Sequence, residues 1–204
     1  VGSLPTAATR LLPAAALRFR QQHPHCALRV STGPNWLLLN QLREGALDLV
    51  VGRMADPERM EALNFRHLYV EPVVPVARAE HPQRDPLDAE AVRRHPLILP
   101  PPGAVIHQTV RAWLVGVGAA DVQPAFESVS AAFCREALLY SDAIWLISRG
   151  VITDLLDRGE LQELEPSRPL MPGPVGISLR TGQAPDEDLG AMVAALEDVA
   201  RETR

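Results

Sequence analysis

The residues of this chain with most chemistry to offer are small hydroxyls, glycines and a few arginines placed where strand-like runs give way to helix-like ones. Val1-Gly2 passes into Ser3-Leu4-Pro5-Thr6, and Ala27-Leu28-Arg29-Val30 stops at Ser31-Thr32-Gly33-Pro34-Asn35 before a helix-like run from Trp36 to Arg43. A third junction, Pro100-Pro101-Pro102-Gly103-Ala104-Val105, follows an apolar run at 97–99, and Ser128-Val129-Ser130 precedes a further helix-like run. A helix N-terminus carries N–H groups without intrahelical partners and a partial positive charge, so an anion is its natural guest. Serine and threonine add donors without filling the space, and Gly33 and Gly103 let a ligand approach the backbone closely. Taken singly, each hydroxyl is more often an N-cap. Convergence of several such loops is what turns them toward binding.

Arg53 ends another apolar run, Leu47 to Val51, where a guanidinium could grip a carboxylate with two parallel bonds. The other possibility is a solvated charge or a bridge to Glu58. Arg135 and Arg149 are weaker versions of the same idea. Phe133, Trp36 and Ile147 could wall a pocket or be plain core.

Catalytic signatures are missing. The chain has no GxSxG, HExxH, P-loop or GxGxxG. His23, His81 and His95 each precede a proline, which places them on surface turns. His23-Pro24-His25-Cys26 imitates a metal cluster but lacks the distant ligands a site needs, so a turn is expected there. His107, at a strand-to-helix junction, is either a cap or surface residue or a ligand contact. Glu187 and Asp188 open a helix, where its dipole accounts for them. No enzyme, metal or cofactor is expected.

The elements that must position these loops alternate strand and helix, which predicts an α/β fold with largely parallel sheets. The 204 residues suffice for two small lobes, and 47% hydrophobic with 22% charged residues is ordinary for a protein with a real core. Net charge is −5, the wrong sign for a surface built on phosphate contacts, so this chain alone is a poor nucleic-acid binder. Cys26 and Cys134 have no CxxC partner and lie far apart; they could pair, but two buried thiols in a reducing cytoplasm is the reading favoured. No run approaches the ~20 apolar residues of a membrane span. The chain starts at Val1, inside a strand-like run and with no export-type leader, and an N-terminal portion is expected to precede it.

Thr6 to Gln22 reads as one helix with Leu12, Ala15, Ala16 and Phe19 on a common face. A strand at 27–32, the helix 36–43 with Gly45 as its left-handed stop, and a buried strand at 47–51 follow, and Pro57 to Leu63 suggests a short helix. In the β-rich "LYVEPVVPVARAEHP", Pro72 and Pro75 argue against an ordinary central strand and suit a chain leaving one lobe for another. Helix 88–94, strand 97–99, helix 106–115, strand 125–127, helix 131–140, strand 143–148, a helical turn or two at 153–158 and a polar strand at 160–165 form a second α/β set. After "RPLMPGP", strand 175–179 and helix 186–203 close the chain. Residues 1–74 with 175–204 are expected to build one lobe and 75–174 the other, two strands crossing between them.

"VGSLPTAATRLLPAAALRFRQQHP", "LRVSTGPNWLLLNQLREGALDLVVGR", "LYVEPVVPVARAEHP" and "AIWLIS" together resemble the effector-binding domain of LysR-type transcriptional regulators, over essentially the whole chain. Within that family "TGPNWLLLNQLREGALDLVVGRM" is most similar to the regulators of protocatechuate and related aromatic-acid operons. The resemblance implies two Rossmann-like lobes joined by two crossover strands, the type 2 periplasmic-binding-protein-like fold, with a small carboxylate or aromatic-acid-pathway metabolite held between them. It implies a winged helix-turn-helix ahead of this chain, so that DNA is bound only through that domain. It further implies a cytoplasmic homodimer, tetrameric at full length, in which helix 6–22 pairs antiparallel with a partner's helix near 106–115. Inducer contacts carry over onto Ser3, Leu4, Pro5, Thr32, Gly33 and Asn35, and onto the loop 100–107 with Pro100, Pro101 and Val105. Arg53, Phe133 and Ile147 follow as further contacts. Where the family usually has proline after "AIWLI", this chain has Ser148-Arg149, which suggests an altered far wall or an added cation. The alternative is a solute receptor of a membrane transporter, which shares the fold.

Overall fold

In the computed structural model, which describes residues 1–184 and 186–202, the chain divides into two compact units, Val1–Val70 with Gly173–Arg204 and Glu71–Pro172. The division falls at 70/71 and 172/173, a few residues before the proline-based boundaries.

The first unit holds β1 (Gly2–Ser3), α1 (Pro5–Ala8), α2 (Leu11–Gln22), β2 (Ser31–Thr32), α3 (Asn35–Arg43), β3 (Val50–Arg53), a 3-10 turn (Pro57–Met60), most of β4 (Leu63–Glu71), β10 (Gly173–Arg180) and α8 (Glu187–Glu202). Its sheet runs β2-β1-β3-β10-β4. β1 is parallel to both neighbours, and β10 returns antiparallel to β3 with Val175 opposite Arg53. Leu12, Ala15 and Phe19 of α2 meet Leu49 just ahead of β3, Val51 and Ile177 of the sheet and Met192 and Leu196 of α8 in one core. Asp186 accepts a hydrogen bond from Leu189 N at 2.8 Å and so opens α8 as an N-cap. Thr203, the expected last residue of that helix, lies outside the described residues.

The second unit holds β5 (Val73–Arg78), α4 (Ala89–Arg94), β6 (Leu97–Leu99), α5 (His107–Gly116), β7 (Phe126–Glu127), α6 (Ala131–Leu139), β8 (Ile144–Ser148), α7 (Arg149–Asp157) and β9 (Leu161–Glu163). Its sheet runs β7-β6-β8-β5-β9, β6 parallel to β7 and β8, β5 antiparallel to β8 and β9. Ile98, Leu114, Leu138 and Trp145 are fully buried in its core. The two indoles there find acceptors, Trp113 Nε1 on Arg168 O at 2.7 Å and Trp145 Nε1 on Ser128 O at 3.2 Å.

Several elements differ from expectation for local reasons. The helix expected over 6–22 breaks at Thr9-Arg10, where Arg10 leaves helical geometry (φ −125°, ψ −54°). Pro13 lacks the N–H that would bond Thr9 O, and its ring would press on that carbonyl. Only Ser31–Thr32 of the 27–32 run is strand, because β2 is an edge and β1 offers partners only near Arg29, Ser31 and Thr32. Pro75 sits inside β5 with neighbours on both sides, against the expectation for a proline-bearing run. Its carbonyl accepts from Leu164 N at 2.9 Å. Because N and C=O of one strand residue point the same way, the missing donor faces the end of β9 and spares the pairing with β8. α7 starts four residues earlier than expected, at Arg149, where a buried Glu71 carboxylate accepts from Gly150 N at 3.0 Å.

Candidate functional site

The expected site residues fall into two sets, one in each unit. In the first unit, Leu4 anchors the loop Ser3–Pro5: it is buried, and its N–H reaches Val51 O at 3.0 Å. The space it fills exists because Gly52 has no Cβ. One added there would lie 2.5 Å from Leu4 Cβ, at a φ of +151°. Ser3 is fully buried and its hydroxyl donates to Leu4 O at 3.2 Å. Pro5 opens α1.

The second loop is built differently. Thr32 ends β2 with an exposed side chain, Gly33 is half-buried, and Asn35 begins α3 almost fully buried. No side chain caps α3: its N-cap position is Pro34, and neither Ser31 nor Thr32 bonds into the first turn. The hydroxyls here are therefore not N-caps. The first-turn donors at Asn35 and Trp36 stay available to an outside acceptor, and Asn35 Oδ1 is buried without a hydrogen-bond partner. Trp36, beside them, is 48% exposed rather than core.

Arg53 ends β3 and is 7% exposed, which removes the solvated-charge possibility. Its guanidinium lies against the Gly173 Cα, where any side chain would collide with it.

In the second unit, Pro100 is buried, and Pro101 and Val105 are half-buried around Gly103 (φ +89°). His107 Nδ1 meets Pro100 O at 2.9 Å, and because a carbonyl only accepts, that nitrogen carries the proton. Phe133 is exposed and packs edge-on against Phe126, ring centres 5.5 Å apart. Phe126 belongs to no sequence motif. Ser130 is an N-cap, accepting from Phe133 N at 3.5 Å, and Ser128 Oγ accepts from Ser130 N at 3.1 Å, so these hydroxyls serve their own turn.

Other expectations need correction. Ile147 is 1% exposed within the core and has almost no surface to offer a ligand. Arg149 is paired with Glu163 at 2.6 Å, and Arg135 with Glu160 at 2.6 Å and Glu136 at 2.5 Å, so both cations hold structure. His81 is fully buried rather than on a surface turn: Gln83 N donates to its Nδ1 at 3.1 Å, and Nε2 reaches Asp142 O at 3.1 Å. His23 stacks on Phe19 and meets Asp188 at 2.8 Å, tying the end of α2 to the start of α8. Both cysteines are free. Cys134 is buried and Cys26 half-buried, and burial pushes the Cys134 thiol up to about 11. Among the described residues no group of histidine, cysteine and carboxylate side chains could hold a metal ion, and no helix is long and apolar enough to cross a membrane.

Two α/β sheets, each a parallel set closed by antiparallel returning strands, define a periplasmic-binding-protein-like protein. Residues 1–201 match the LysR substrate binding domain, and the chain belongs to that family. It is 38% identical over 204 residues to the HTH-type transcriptional regulator PcaQ of Agrobacterium fabrum, covering 99% of this chain and 66% of that protein. It is 32% identical over 186 residues to the uncharacterized HTH-type transcriptional regulator YdcI of Escherichia coli, 88% of this chain and 59% of the relative. The chain thus spans about two thirds or less of these relatives' length. Among solved structures it superposes on the Synechocystis PCC6803 CcmR regulatory domain in complex with 2-PG (TM-score 0.83, 18% identity, 98% of this chain and 95% of that one). The effector binding domain of QuiR in complex with shikimate gives a TM-score of 0.78 at 12% identity, again over 98% and 95%.

Proposed function

We propose that this chain is the effector-sensing domain of a LysR-type transcriptional regulator that binds a small carboxylate, of the aromatic-acid-pathway kind, and modulates DNA binding by a winged helix-turn-helix elsewhere in the full-length, cytoplasmic protein. The observation that carries this is the uncapped start of α3 beside the exposed Thr32 hydroxyl. A nine-residue helix with no side-chain cap offers an anion its first-turn N–H groups and dipole, and Thr32 adds a further donor. Asn35 Oδ1, a buried acceptor with no partner, would be satisfied by a hydroxyl on the guest. Loop Ser3–Pro5 and Arg53 belong to the same sheet as this cradle, on strands β1 and β3. That relatives are named transcriptional regulators, and that a neighbour of the same fold was solved with shikimate, supports the assignment. An effector that prefers one conformation of the regulator shifts its population, and the differential affinity is the entire signal.

Calorimetric titration against aromatic acids and their ring-cleavage products tests this. Thr32→Val should weaken binding about tenfold, the worth of one hydrogen bond to a charged group, and leave the melting temperature unchanged. Equal affinities for the variant and the natural domain would remove Thr32 and the α3 cradle from the site.

A further inference from the structure

We propose that the second unit carries a binding site of its own for a short zwitterion, a carboxylate and an ammonium joined by a few methylenes, in the hollow between α5 and β7. The hollow has a volume of about 250 Å³ and is walled by Leu99, Val110 and Val122 among others, with His107, Arg111, Gln123 and Glu127 as its polar lining. Two of those polar groups carry opposite full charges and are not paired with each other. Among the described residues Arg111 makes no ion pair: its one hydrogen bond is a long one, 3.3 Å, to Ala120 O. Glu127, in the two-residue edge strand β7, has no cationic partner. Elsewhere in this unit arginines and carboxylates find each other readily, as Arg78 does Asp142, Arg93 Asp121, Arg94 Glu90 and Arg149 Glu163. An unpaired cation and an unpaired anion facing one small hollow are complementary to a guest with both charges.

His107 supplies the third contact. Its Nδ1–H is fixed on Pro100 O, so Nε2 is the ring atom left over, an acceptor in the neutral imidazole. His107 and Arg111 are one turn apart on α5 and share a flank of that helix. A carboxylate on Arg111 and an ammonium donating to Glu127 and His107 Nε2 would use both charges and the free ring nitrogen, while the aliphatic walls take the methylenes and the Gln123 amide stays turned to Asp121 O. The volume lies below the roughly 300–1,000 Å³ of pockets for drug-sized ligands, which suits a guest of amino-acid size. The flank is distinct from the outer face of α5, where Gln108, Ala112 and Val115 are exposed.

Titration of the domain by calorimetry and by NMR with β-alanine, 4-aminobutanoate and 5-aminopentanoate, against butanoate and butylamine, tests the site. At least one zwitterion should bind saturably and about tenfold or more tighter than either singly charged control, since each control forfeits one charge-assisted contact. Arg111→Ala and Glu127→Gln should each lose about that factor, and Thr32→Val should leave it unchanged. Glu127→Gln, on an exposed strand, keeps the test open should Arg111→Ala unfold. Saturation by no zwitterion at tens of millimolar, controls that bind as well as the zwitterions, or indifference to both variants would overturn the site. Loss in Thr32→Val alone would also overturn it, because the zwitterion would then occupy the α3 cradle instead.

Discussion

Gly52 and Leu4 form a lock-and-fill pair that decides where the first candidate loop sits. A side chain at Gly52 would need a backbone angle that L-residues rarely adopt and would collide with Leu4. Gly52→Ala should therefore cost about 2 kcal/mol or more in urea unfolding, the scale of overpacking and local backbone strain, and should weaken effector binding because Ser3–Pro5 must move with Leu4. Ala62 is the opposite case, an alanine in the left-handed region at φ 58°. Replacing it with glycine removes a strain of about 1–2 kcal/mol but returns about 0.4–1 kcal/mol of entropy to the unfolded chain, so a small net gain is expected. Ala62→Val should lose stability, and the urea midpoints should rank Gly, Ala, Val. His95 brings a pH dependence. Burial, and then its electrostatic surroundings, with the His81 ring centre 4.6 Å away and Arg94 next to it in sequence, lower its pKa, with Asp142 opposing. The unfolded chain then binds the proton more readily, so stability is full above the unfolded value near 6.5 and falls as the solution is acidified. His95→Gln should flatten the stability profile measured between about pH 7 and pH 5. A profile of unchanged slope would show that His95 is not a source of it.

At the scale of elements, the sequence carried most of what local chemistry decides. Helix α4 stands where Asp88 signals it, with Ala91 N donating to the Asp88 carboxylate at 2.9 Å, and Gly45 stops α3 in the left-handed region (φ +80°). Asp88→Ala should accordingly cost about 1 kcal/mol in thermal or urea unfolding, the worth of an N-cap. The errors have one pattern: the deciding partner is distant in sequence. Residues 27–30 have strand composition but, among the described residues, only Arg29 finds a backbone partner, Val1 N, and α7 begins where Glu71, far upstream, reaches its first turn. Pro75 is tolerated because of where β9 ends. The break before α2 was legible, since Pro13 is in plain view, but the apolar periodicity runs straight through it. The same division holds for the candidate site. The loops Ser3–Pro5 and Thr32–Asn35 could be found from composition at strand ends. That Ser130 is a cap while Thr32 is not, that Arg135 and Arg149 are held by Glu160 and Glu163, and that Ile147 lies inside the core are matters of tertiary contact.

For the whole molecule, the question is what covers the apolar residues left on the outer faces of α2 and α5. Leu17 of α2 is 69% exposed, with Pro13 and Ala14 also exposed on that side, and Val115 of α5 is 60% exposed beside Ala112. Each is an aliphatic side chain at helical spacing from small residues, the composition that lets two helices approach closely. Isolated exposed aliphatics are normal on any surface, but these two lie on the helices that the family resemblance pairs between subunits. In an isologous dimer every contact occurs twice, so a substitution on either helix is felt at two places. Leu17→Glu and Val115→Glu should therefore each raise the dimer dissociation constant at least about tenfold, one buried aliphatic contact on each side of the two-fold being worth about 1.5–3 kcal/mol. Neither residue is in its unit's core, so the melting temperature of dilute protein should stay within a few degrees. Sedimentation velocity over a concentration series separates the outcomes. A shift toward monomer in both variants supports α2-to-α5 pairing, whereas a shift in only one means that its helix meets a different surface of the partner. Because effector binding and dimerisation would then share one chain, the zwitterion and carboxylate titrations should be repeated on Val115→Glu: unchanged affinities would show that sensing is a property of the protomer, and altered ones that the pairing of subunits is part of the signal.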